Sequence, residues 1–168
     1  MKQLPHLTVI TWPHPTLSKV AEPVSVFDQK LADFIQQMWE CMYESQGIGL
    51  AAPQVNHSLQ IFVMDCQNRA QDSKVLTCIN PQIIEADEVV DSTEGCLSVP
   101  NIRVTVPRFN RILLKAQDVQ GHSFEVHLTG LEAICAQHEI DHLQGKTFID
   151  ALSEPVKTQV LTQYAEYA

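Results

Sequence analysis

Between residues 28 and 45 the apolar side chains Leu31, Phe34, Ile35, Met38 and Met42 recur at steps of three and four. That spacing predicts a helix with one apolar face. Asp28 stands where an N-cap belongs and Gly47 where a stop belongs. The period then changes. "LQIFVMD" (59–65) and "KVLTCINP" (74–81) are rich in strand-forming residues and end in turn chemistry. "IIEADEVVDSTEG" (83–95) is mixed and predicts no single element. "IRVTVP" (102–107) and "RILLKAQD" (111–118) alternate as two strands, and "DVQG" turns the chain into "HSFEVHL" (122–128), a hairpin partner. After Gly130 the helical spacing returns in Leu131, Ile134, Cys135, His138 and His142, and Gly145 closes that helix. "SEPVKTQVLTQYAEY" (153–167) predicts a short last helix, capped by Ser153 with Pro155 in its first turn. The order of elements predicts an α+β fold, with antiparallel strands around a central helix between a long N-terminal and a short C-terminal helix.

Composition narrows the classes of function. The 168 residues suit one domain spanning 1–168, and an apolar fraction of 45% argues for a packed core. Eleven basic against twenty acidic residues give a net charge of −9, and no basic run exists, which argues against direct nucleic-acid binding. The first apolar stretch is short and interrupted by Pro13 and Pro15, unlike a signal peptide, and no segment has the ~18 apolar residues of a membrane span. A cytoplasmic location is expected. The five scattered cysteines, Cys41, Cys66, Cys78, Cys96 and Cys135, then read as reduced thiols.

Three stretches carry chemistry. In "QHEIDH" (137–142), His138 and His142 lie four apart on the central helix, so both rings can reach one ion. Glu139 lies about 100° round the helix, beside such an ion without ligating it, where a general base for water belongs. Two histidines on an apolar face need partners for their ring nitrogens, and a shared cation supplies one. A third ligand is required. Cys96 in "EGCLS" (94–98) is the better candidate. Its competitor, Cys135 on the helical stripe, reads more readily as a small buried apolar group. The third stretch, "GIGLAAPQ" (47–54), lacks the marks of a phosphate loop. Gly47 and Gly49 suit close backbone approach, and Gln54 offers an amide to an oxyanion; a plain connection is the alternative.

Taken together and in this order, "GIGLAAPQ", "EGCLS" and "QHEIDH" resemble the three motifs of the peptide deformylases, with the likeness running from about residue 5 to 152. The resemblance implies a hydrolase that removes the formyl group from the formylmethionine of new polypeptides and releases formate. It implies one divalent ion, Fe2+ foremost with Zn2+, Ni2+ or Co2+ as substitutes, held by Cys96, His138 and His142. Glu139 would be the acid and base, and Gln54 and the Leu97 backbone N–H would stabilise the oxyanion. An apolar slot for methionine would be lined by Leu131, Ile134 and Cys135. Gly49 would let the substrate backbone approach, Arg103 matches a substrate-side arginine of the family, and Glu94 and Gly47 would support the ligands from behind. Asp141 faces away from the ion by helix geometry and is expected to pair with Arg108.

Rival readings are an H-E-x-x-H metallopeptidase, for which a third ligand after His142 is lacking apart from Glu154 and Glu166, and a non-catalytic relative, which would have lost one of these groups. Some deformylases carry a longer basic C-terminal helix that docks on the ribosome. Here the segment after Leu152 has Lys157 as its single basic residue against Glu154 and Glu166, so docking through it is not expected.

Overall fold

Asp28 starts the first long helix as its spacing requires. Its carboxylate accepts the Leu31 backbone N–H, one of the donors a helix leaves unpaired at its start. Helix α1 spans Gln29–Glu44 and buries Leu31, Ile35, Met38, Cys41 and Met42. It does not end at the expected Gly47. Gln46 takes the left-handed conformation (φ 57°), while the N–H groups of Gln46 and Gly47 close onto the carbonyls of Tyr43 and Met42. This is a Schellman ending with glutamine in the usual glycine place. The computed structural model describes residues 4–66 and 74–167; the remaining residues of the expected 1–168 unit lie outside it.

Five strands follow: β1 (Gly49–Ala51), β2 (Ile61–Asp65), β3 (Val75–Cys96), β4 (Val99–Gln117) and β5 (Ser123–Thr129). They form one antiparallel sheet in chain order. The two central strands are longer than expected. The mixed stretch 83–95 belongs to β3, and the two separate alternating runs are one strand, β4. Register shifts at Ile79/Gln82 and Ile83/Glu85 absorb the irregularity around Pro81. Only the first part of β3 also pairs with β2, so residues 85–96 form a ribbon with β4 alone. Along β4 the residues Ile102, Val104, Val106, Ile112, Leu114 and Ala116 are buried in strict alternation. Arg108 occupies the same inward row.

Helix α2 (Gly130–Leu143) packs Ala133, Cys135, Ala136, Ile140 and Leu143 against Phe62, Met64, Ile112, Leu114 and Leu128. The sequence predicts one apolar stripe, but the helix is enclosed on most sides. Glu132, Gln137, His138, Glu139 and His142 are also buried, while Leu131 is 51% exposed. Polar partners, not solvent, satisfy Glu132, Gln137 and His138; the Lys74 N–H, for example, donates to the Glu132 carboxylate. Gly145 ends α2 at φ 72°, and a Cβ there would lie 2.8 Å from the Lys19 backbone. The last helix, α3 (Glu154–Tyr167), buries Val160 and Tyr164 with Val99, Ile102, Val104, Val106 and Phe148. The Tyr164 hydroxyl donates to the Trp12 carbonyl at 2.8 Å. No helix among the described residues is long and apolar enough to cross a membrane.

Candidate metal centre

The two-residue period of β3 turns Ser92, Glu94 and Cys96 toward α2. Cys96 closes the strand, opposite Val99 across a tight turn. One helical turn separates His138 from His142 on the facing helix. Ligand atoms of Cys96, His138 and His142 all lie within 4.8 Å of one another, and Cys96 Sγ is 3.4 Å from His142 Nε2. Tetrahedral bonds of about 2.3 Å to sulfur and 2.05 Å to nitrogen place those donors about 3.5 Å apart, so the spacing fits a shared ion. Cys135, the competing ligand, is not in this group. Its thiol points to the Ile48 carbonyl at 3.7 Å and meets Cys66.

The surroundings favour a cation. His138 Nδ1 meets Glu94 Oε1 at 3.0 Å, which leaves the other ring nitrogen for the cluster, an arrangement usual for metal-bound histidines. Burial alone would lower the His138 pKa, but Cys96 and Glu94 hold it well above its ordinary value. The same burial would raise the Glu94 carboxyl, yet Arg108 and His138 pull it down to about 2. Arg108 grips both Glu94 oxygens, at 2.9 and 2.8 Å, and reaches Asp141 at 2.6 Å. The Arg108–Asp141 pair is the one expected from the sequence. The bidentate hold on Glu94 is not visible there, although a charge in the inward row of an alternating strand is its signal.

Glu139 is buried beside the cluster. Burial raises its pKa to about 7, despite the opposing pull of His138 and Arg108. Its Oε2 and the Nδ1 of His142 have no hydrogen-bond partner among the described residues. Burying a carboxylate oxygen unpaired is costly, and such groups mark sites where a ligand completes the set. Gly49 provides the room for the Glu139 carboxylate. A Cβ there would stand 2.6 Å from Glu139 Oε1 and 2.8 Å from Cys135 Sγ. The close approach at Gly49 is therefore first of all to the protein's own carboxylate. At Gly47 a Cβ would stand 2.8 Å from the Leu97 side chain.

Gln54 sits in the 3-10 turn Ala52–Val55 and is almost fully buried. Its Oε1 accepts the Ala51 N–H at 2.9 Å, which directs the Nε2 toward Ser98 Oγ (3.2 Å) and Cys96 Sγ (3.7 Å). A cavity of about 690 Å³ opens on Gln54, Cys96, His138 and Glu139. Leu97, Leu131, Ile134 and Cys135 supply apolar lining. Arg103 lines the same cavity and donates to the Thr93 carbonyl at 3.2 Å.

The polypeptide deformylase model matches residues 6–158. The peptide deformylase of Chromobacterium violaceum is 44% identical over 94% of this chain and 93% of its own. Peptide deformylase 1 of Shewanella oneidensis is 44% identical over 96% and 95%. A crystal structure of a peptide deformylase from Legionella pneumophila superposes with a TM-score of 0.90 at 36% identity, covering 97% of this chain and 95% of that one. The Ehrlichia chaffeensis enzyme in complex with actinonin gives 0.91 at 32% identity, over 98% of both. Sequence likeness over nearly the whole length and a shared fold lead to one assignment: the chain belongs to the polypeptide deformylase family.

Proposed function

We propose that the chain, acting as one catalytic domain, hydrolyses the N-formyl group of formylmethionyl polypeptides, with Cys96, His138 and His142 holding one divalent metal ion. Family membership supports the reaction. The single observation behind the ligand set is the convergence of these three donors within 4.8 Å beside a buried, unpaired carboxylate oxygen. We assign Fe2+ as the ion by family resemblance; the donor set also accepts Zn2+, Ni2+ and Co2+. When bound, the ion lowers the pKa of water toward ~7 and polarises the formyl carbonyl.

The protein's own groups do the rest. Glu139 takes the proton from the attacking water and passes it to the departing amine, a role suited to a carboxyl raised to about 7. The Gln54 amide, aligned by Ala51, and the Leu97 backbone N–H donate to the oxyanion as charge develops on the formyl oxygen. Leu131, Ile134 and Cys135 receive the methionine side chain, and Arg103 meets the peptide further out. Glu94 orients the His138 ring through its Nδ1. Gly47 and Gly49 support the site by admitting Leu97 and Glu139. With Lys157 alone against Glu154 and Glu166, the tail offers little attraction to ribosomal RNA, so deformylation without tail-mediated ribosome docking is the expected mode.

Formate release from an N-formylmethionyl peptide tests the reading. Turnover with the formylated peptide and none with its unformylated counterpart is the expected result. Cleavage of the unformylated peptide would instead make the chain a metallopeptidase.

A further inference from the structure

Strand β5 pairs along β4 from Gln117 down to Arg111, and the chain then leaves the sheet at Gly130 to form α2. The next β4 residue with its backbone groups turned to that side is Phe109. Among the described residues, no strand remains there to pair with it. Instead, the Phe109 N–H donates to Gln137 Oε1 at 2.9 Å, and the Phe109 carbonyl accepts from Gln137 Nε2 at 2.7 Å. The second Nε2 hydrogen goes to the Ala133 carbonyl at 2.9 Å. One side-chain amide thus serves as the next rung of the ladder, with its polar capacity largely used. The preceding residue, Arg108, holds Asp141. Gln137 and Asp141 are one helical turn apart on the same face. Two successive strand residues therefore grip α2 at two points.

We propose that Gln137 is a positioning residue for the metal centre, fixing the rotation of α2 about its own axis so that His138 and His142 meet Cys96. His138 and His142 each follow a gripped residue directly. At a side-chain radius of about 5–6 Å, a helix rotation of about 20° carries a ring nitrogen roughly 2 Å. Metal–ligand distances tolerate about 0.2 Å. The inward carboxylate of Glu94 orients one ring but does not set the helix; the amide on Phe109 does.

The inference rests on the metal-site reading above, and the test separates the two. Gln137→Met keeps reach and volume while removing all three hydrogen bonds. Val160→Ala, in α3, is a control that lowers stability from another helix. Wild-type chain and both variants are loaded with Co2+ well below their melting temperatures, then compared by chelator competition and visible absorption. Gln137→Met should bind Co2+ at least about tenfold more weakly, as losses of supporting partners do, with a changed ligand-field band. Val160→Ala should stay within about twofold of wild type with the same spectrum, a margin far below that loss. Should Gln137→Met fail to fold, Gln137→Glu, which keeps the acceptor for the Phe109 N–H but loses both donors, should give the same change. Wild-type affinity and spectrum in the folded Gln137 variant would overturn the proposal, as would an equal loss in Val160→Ala. A wild-type chain without a Co2+ site would overturn the metal reading and this proposal together.

Discussion

Gly49→Ala tests the geometry of the site with one methyl group. The new Cβ would lie 2.6 Å from Glu139 Oε1, 3.1 Å from its Cδ and 2.8 Å from Cys135 Sγ. Ordinary contact begins near 3.4 Å, so the carboxylate must retreat by the difference, 3.4 − 2.6 = 0.8 Å, or the strand must move instead. Either response displaces Glu139, the proposed proton carrier, relative to the proposed oxyanion donors. A misplacement near 1 Å costs about 100-fold in rate, while overpacking a core costs about 1–3 kcal/mol. The variant should therefore fold, melt roughly 2–10 °C lower, keep its metal and lose about two orders of magnitude in kcat. Initial rates of formate release, metal analysis and a thermal melt read all of this from one preparation. Adding Cys135→Ala removes the sulfur contact but not the carboxylate contact, so kcat should stay low. A Gly49→Ala enzyme with kcat within threefold of wild type, about 0.7 kcal/mol, would refute the argument that Gly49 exists to admit Glu139.

Cys96→Ser should strip the metal or redirect its chemistry, whereas Cys135→Ser should leave metal content nearly intact; full retention and activity in Cys96→Ser would remove the ligand assignment. Glu139→Gln should retain metal with turnover lowered by about 10³–10⁴, the upper range of acid–base catalysis, as read by metal analysis and single-turnover kinetics. Gln54→Ala should lower kcat by about 10²–10³ with little change in KM, because the oxyanion develops only near the transition state; a change in KM alone would make Gln54 a substrate-binding group. Truncation before Ser153 exposes the cluster that Val160 and Tyr164 cover. It should cost roughly 3–6 kcal/mol in a denaturant melt and leave co-sedimentation with ribosomes unchanged; a loss of co-sedimentation would show that the tail docks.

Helix α1 was readable because its apolar side chains all point one way and Asp28 supplies a local cap. The His138–His142 pair was readable because helix geometry alone puts residues i and i+4 together. The long strands were not. Residues 84–91 of β3 are exposed or half-buried whether charged (Glu85, Asp87, Glu88, Asp91) or apolar (Ile84, Val89, Val90), so nothing buried marks their alternation. Pro107 also reads as a break. Yet it lies two residues before Phe109 on the side where β5 has already ended, so no strand asks for its missing N–H. The enclosure of α2 was hidden for the opposite reason. Periodicity treats Glu132 and Gln137 as solvent-seeking, but backbone groups of Lys74 and Phe109 satisfy them inside. Partners distant in sequence, such as Arg108 and Glu94, become evident only once β3 and β4 are in register.

The Glu94–Arg108–Asp141 network occupies a place where β4 otherwise carries apolar side chains. Breaking one partner of such a buried network costs about 3–5 kcal/mol, but replacing it as a set with well-packed apolar residues is often neutral or stabilising by about 1–4 kcal/mol. Laboratory evolution for heat resistance alone would therefore have a route to discard it. The survivors would be sturdier molecules in which the His138 ring had lost the acceptor that aims it. A library built to harden this enzyme should hold positions 94, 108 and 141 constant and take its gains on the exposed outer face of β3.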